Sequence, residues 1–284
     1  MPTSYPYHTV KHRYFDKDVE VRHPDIELSG EDFLMGLRLL DGRCEAQTIE
    51  TLFAPGREVA LIYGRFGYLL SLLDRLGGCH WGCDREKHTV TYVAMRAVSA
   101  SRAGVRLMQF GLYDEALTHA RSIGEAANLL ILVGADQRSC KEWTTAVRQR
   151  TKSKLSPASV RTRLKALKIS SPINSRRYGV LSELIHPTAP VLPQGYSDDT
   201  QPRIGGMFQD QGAVSVLHEL SLSVSLVTAA ATRLLAPPVS VRRRIRKAII
   251  ELTHATLAVI TPPFPEDWPT AIRMARQAAE PKAL

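Results

Sequence analysis

Apolar residues recur at three- and four-residue intervals through the middle of this chain. Val90, Ala94, Ala97, Val98, Ser101, Val105 and Met108 share one helical face, and Gly111 ends the run. Leu112, Ala116, Leu117, Ala120, Ile123, Ala127, Leu130 and Ile131 form a second such face directly after it. Two long amphipathic helices joined by so short a turn predict an antiparallel hairpin, and this pair is the expected centre of the core.

Turn and cap residues place the remaining elements. Ser29 followed by Asp32 marks a helix start, and a further helix is expected from Arg57 to Leu76, where Gly77-Gly78 stop it. Ser156-Pro157 reads as an N-cap and first helical residue opening a short basic helix. Another helix starts near Asn174 or Ser175 and runs to His186, because Pro187 disfavours the α conformation in the residue before it. Pro187 to Gly212 has four prolines, four glycines and no period, which predicts a long loop. Helices return from Ala213 to Leu235 and from Val239 to Val259, and Pro262-Pro263 begin a tail. The pattern predicts an all-α fold, an antiparallel helical bundle with long core helices and one long Pro/Gly loop. Residues 1–55 are expected to be an N-terminal arm with short helices, its first thirty residues lacking any period, 56–260 the bundle and 261–284 a C-terminal tail.

Composition supports that reading. Of 284 residues 44% are hydrophobic and only 7% aromatic, which suits helices packed through aliphatic faces better than a β-sandwich. Four cysteines, Cys44, Cys79, Cys83 and Cys140, are too few and too unevenly spaced for a disulfide scaffold, and the opening residues lack a signal peptide's apolar stretch, so a cytoplasmic setting is expected. The most apolar run, Ala213 to Leu235, is interrupted by His218, Glu219, four serines and Arg233; it reads as a buried helix, and no membrane partner is expected.

Charge changes the picture more. The chain's net charge is +9, and from Arg138 to Arg177 twelve Arg or Lys stand against the single acid Glu142. Such a segment fits RNA or another polyanion, with Arg148, Arg150, Lys152, Lys154, Arg161, Arg163, Lys165 and Lys168 as candidate nucleic-acid contacts. The bland alternative is a solvated helix face.

The usual nucleotide-binding, Rossmann, hydrolase and zincin motifs are absent, and no cofactor is expected. Cys79, His80, Cys83 and His88 have zinc-ligand chemistry but no distant second pair, so thiols in the interior or an interface are the expected reading and no metal is assigned. Two polar lines stand out instead. Arg121, Glu125 and Asn128 follow one another at i, i+4 and i+7, while Tyr178, Ser182 and His186 follow at i, i+4 and i+8 beside Glu183. If the helices bring these lines together, they form either a buried polar lock or a site with an imidazole beside a guanidinium.

The stretches Gly111 to Leu117, Ala120 to Leu130 and Tyr178 to Pro187 carry a resemblance. Arg121-x3-Glu125 on one helix, followed by Tyr178-x3-Ser182-Glu183-x2-His186-Pro187, is similar to a bacterial helical domain-of-unknown-function family, which in turn resembles the HEPN (higher eukaryotes and prokaryotes nucleotide-binding) bundles. The similarity covers about residues 84–235. Many HEPN proteins are dimeric ribonucleases of toxin or defence systems that use an Arg separated from a His by four to six residues. Here Arg177 and His186 have eight residues between them, and Arg75 to His80 is interrupted by Gly77-Gly78. The resemblance implies a metal-independent ribonuclease, with His186 as acid or base, Arg121 steadying phosphate and Glu125 orienting the imidazole. The residues by themselves favour a non-catalytic module that binds nucleic acid or protein, with homodimer formation as an expected assembly.

Overall fold

The computed structural model describes residues 7–14, 17–24, 30–82, 87–183, 208–259 and 267–279. An antiparallel β-hairpin, β1 (Tyr7–Tyr14) and β2 (Lys17–Pro24), comes first, with Val10 opposite Val21. Every regular element after it among the described residues is a helix: α1 (Gly30–Leu52), α2 (Glu58–Gly77), α3 (His88–Gln109), α4 (Tyr113–Ala135), α5 (Gln137–Gln149), α6 (Pro157–Ala166), α7 (Ser175–Glu183), α8 (Asp210–Leu235), α9 (Val239–Val259) and α10 (Asp267–Ala279).

The helices begin and end for local reasons. Gly111 takes φ +77° in the tight turn between α3 and α4, a conformation that a Cβ would strain. Asp136 caps α5 by accepting from the Arg138 and Ser139 amides, and Ser156 caps α6 by accepting from the Ser159 amide, with Pro157 in the first turn. Both core helices and the α6 start thus follow the sequence pattern closely.

The core is built around α8, which packs against α2, α3, α4, α9 and α10. From Gly212 to Thr232 nearly every residue of α8 is buried, on all faces. This helix is long and apolar enough to cross a membrane, but 89% of its most apolar window is buried inside the bundle. Small residues make the close packing feasible. Gly124 on α4 leaves room for the Ile173 side chain, which an added Cβ would strike, and Tyr113 lies across Gly212 in the same way.

Three expectations need correction. The segment read as a tail, 261–284, contains α10, whose Trp268, Ala271 and Ala275 are buried in the main core. Its four-residue and seven-residue spacing was masked by surrounding prolines, yet Pro269 sits in the helix's first turn, where a missing amide costs nothing. Residues 1–55 hold a hairpin and one helix of 23 residues rather than short helices. Finally, α8 begins at Asp210, inside the expected loop; residues 184–207, which include most of that loop, lie outside the described residues.

Candidate functional site

The two polar lines meet in part. On α4, Arg121 donates from Nε to Glu125 Oε1 at 3.1 Å and from Nη2 to the Tyr178 hydroxyl on α7 at 2.6 Å. A second guanidinium joins from α6: the Arg161 Cζ lies 3.9 Å from the Tyr178 ring centroid, and the Arg121 Cζ 4.2 Å from it. One nitrogen of Arg161, Nη1, is buried with no hydrogen-bond partner. Three helices therefore converge on a phenol, two guanidiniums and one carboxylate.

The other members of those lines go elsewhere. Asn128 forms a two-way clamp with the backbone of Ile173, donating to its carbonyl at 2.9 Å and accepting from its amide at 3.2 Å. That clamp fixes the chain just before α7 against α4. The Ser182 hydroxyl turns back to donate to the Tyr178 carbonyl on its own helix. His186 and the Glu183 side chain, the other expected members of this site, lie outside the described residues.

A second polar cluster, missed by the sequence reading, lies in the interior. Arg177 is completely buried and donates from both Nε and Nη2 to Glu219 Oε2 on α8. His218 Nδ1 lies 3.3 Å from Glu219 Oε1, and its Nε2 accepts from the Trp268 indole N–H of α10 at 2.9 Å. Because Nε2 accepts, the ring proton belongs on Nδ1, where it points at the carboxylate. Burial, the largest single influence on Glu219, would raise its pKa, but Arg177 and His218 together outweigh it and hold the carboxyl down at about 2. The sequence showed these groups only as polar interruptions of an apolar run and as one more arginine in a basic segment. The signal that could have found them was a neighbouring histidine and glutamate in the middle of the most apolar helix, which demand partners once buried.

The basic segment divides in two. Arg138, Lys141, Arg148, Arg150, Lys152, Lys154, Lys165 and Lys168 are exposed on α5, α6 and their connections, and none makes an ion pair among the described residues. Arg161 and Arg163 are half-buried instead: Arg161 stacks on Tyr178, and Arg163 donates to Glu142 at 2.8 Å and to Ser139 at 3.0 Å. These two candidate contacts have structural work of their own. The lone acid of the segment is taken up by Arg163.

Among the described residues no group of three or more His, Cys, Asp or Glu side chains is placed to hold a metal ion. Of the cysteine and histidine cluster, Cys79 Sγ lies 3.7 Å from His88 Nδ1, and Cys83 is outside the described residues. Compared with protein-family models, curated proteins and solved structures, the chain matches none.

Proposed function

We propose that this protein is a non-catalytic helical module that binds nucleic acid through the face formed by α5, α6 and the segment between them. The observation that carries the reading is the set of eight exposed cations there, none of them in an ion pair among the described residues, while the segment's own acid, Glu142, is already paired with Arg163. Phosphate attraction of this kind releases counter-ions and needs no particular base sequence. The Arg121, Glu125 and Tyr178 cluster acts in this reading as a lock: its guanidinium is already engaged by a carboxylate and a phenol, and it ties α4 to α7.

The alternative is the HEPN-like metal-independent ribonuclease, with His186 serving as acid or base next to Arg121. One experiment separates the two. Labelled RNA of about 20 nucleotides should bind with an affinity that falls about tenfold or more between roughly 50 and 200 mM salt. The pair Lys152→Glu and Lys154→Glu should weaken binding and flatten that salt slope, and the RNA should stay intact. RNA cleavage that His186→Ala abolishes, without a change in melting temperature, establishes the ribonuclease instead. Absence of any salt-dependent binding overturns both.

A further inference from the structure

We infer that the open groove bordered by α3, α4, α5 and α6 seats the unstacked bases of single-stranded RNA, whose backbone lies along the neighbouring cations; this rests on the nucleic-acid reading above. The groove encloses about 660 Å³, inside the ~300–1,000 Å³ range of sites that hold nucleotide-sized ligands.

Its floor is apolar, formed by Val93 and Ala97 of α3, Ile123 and Leu129 of α4, and the nearly buried Trp143 of α5. The rim differs in kind. Tyr92 stands there 64% exposed, with Arg96 one turn further along α3 and His119, Ser122 and Glu125 facing from α4. An aromatic ring left in water above an apolar floor is a stacking platform for any base that arrives unpaired.

The remaining wall explains how a strand would be delivered. It is made by Val147, Leu155, Pro157 and Val160, and exposed cations flank these positions in the chain: Arg148 and Arg150 follow Val147, and Lys154 precedes Leu155. The one acid in the lining is Glu125. Charge complementarity therefore selects a polyanion over an apolar peptide, and a strand held by these cations has its bases beside the groove. A duplex keeps its bases paired inside and has nothing to insert.

Glu125 also argues for ribose. Its Oε1 accepts from Arg121, while Oε2 has no hydrogen-bond partner among the described residues. A carboxylate at the groove repels phosphate but accepts readily from a hydroxyl, and the 2′-hydroxyl is the donor that RNA has and DNA lacks.

The test compares single-stranded RNA carrying 2-aminopurine, DNA of the same sequence and the RNA duplex at matched salt. Wild-type protein should prefer the single-stranded RNA and change the 2-aminopurine emission. Tyr92→Ala, at an exposed position, should weaken single-strand binding about tenfold, the worth of one stacked base, remove the emission change and leave duplex binding as it was. Equal affinity for single strand and duplex, no effect of Tyr92→Ala, or equal affinity for RNA and DNA overturns this inference while the nucleic-acid reading stands. Failure of all three polymers to bind overturns both.

Discussion

Arg177 and Tyr178 are consecutive residues of α7 that face opposite surroundings. Arg177 turns inward to Glu219, where the side chains are 0% and 9% exposed. Tyr178 turns outward to meet Arg121, whose pair with Glu125 has side chains 20% and 21% exposed. Both clusters contain an arginine and a glutamate joined by hydrogen bonds, yet the physical weight of each is set by what remains if one partner is removed. Water can reach the outer pair and take over part of the lost interaction. Around the inner pair only protein remains, and an unmatched charge there must be neutralised or break the packing.

The contrast is broken most directly at Glu219. Glu219→Ala takes away the buried carboxylate to which both Nε and Nη2 of Arg177 donate and deprives His218 Nδ1 of its acceptor, so a loss of about 3–5 kcal/mol is expected in urea unfolding. A loss below about 1 kcal/mol would mean that solvent reaches Arg177 after all. Replacing both charges together, as Arg177→Met with Glu219→Leu, should recover most of the loss, since the buried pair is then removed as a unit. The pair also gives stability a direction with pH. The Glu219 carboxyl is held down at about 2 from its ordinary 4.5, so its contribution is complete above about pH 4.5 and disappears as pH falls toward 2.

The outer cluster should respond more weakly. Arg121→Ala removes the Glu125 ion pair, the Tyr178 hydrogen bond and one cation–π contact, and an expected cost of about 1 kcal/mol reflects their access to water. Added salt should shrink the difference between wild type and variant. A cost close to that of Glu219→Ala, insensitive to salt, would place the outer cluster in the same electrostatic class as the inner one.

How far each cluster could be read from sequence follows from the same contrast. The outer one was legible because Arg121 and Glu125 lie at i, i+4 on an amphipathic helix and Tyr178 heads a second polar line; periodicity tells which residues share a face. The core pair α3 and α4, and the start of α6 at Ser156-Pro157, were legible for the same local reason. The inner cluster was not, because its members are 42 to 50 residues apart and come from α7, α8 and α10. Nothing local distinguishes Arg177 from its exposed neighbours in a basic run. Its burial depends on α8 bringing Glu219 beneath it and on α10 bringing Trp268 to His218, and α10 itself was hidden by prolines that only a first-turn position makes harmless. The β-hairpin was missed for a different reason: Val19 and Val21 do alternate with charged residues, but eight-residue strands without a larger sheet carry little signal against a mixed, turn-rich background.

Asp114 supplies the third case, a half-buried carboxylate with no cation beside it. It stands in the first turn of α4, where the helix dipole favours an anion, yet its Oδ1 is buried without a hydrogen-bond partner. Burial, with a smaller push from Glu115, raises its pKa from 3.8 to about 6. Glu219 experiences the same leading influence and ends at about 2, so the difference between the two lies in Arg177 and His218 rather than in depth. The sign of the pH effect is reversed accordingly. Below pH 3.8 the Asp114 carboxyl is protonated folded or unfolded; between 3.8 and about 6 only the folded chain keeps the proton, and stability falls as pH rises. Asp114→Asn should therefore stabilise the protein at about pH 7.5, by up to about 1 kcal/mol once solvent screening is allowed for, and give no gain near pH 3.5. Melting temperatures of wild type and variant at the two pH values decide it. An equal gain at both would show that burial does not shift the Asp114 carboxyl, and destabilisation at the higher one that it is stabilised as an anion; in either case the cation would no longer account for the difference from Glu219.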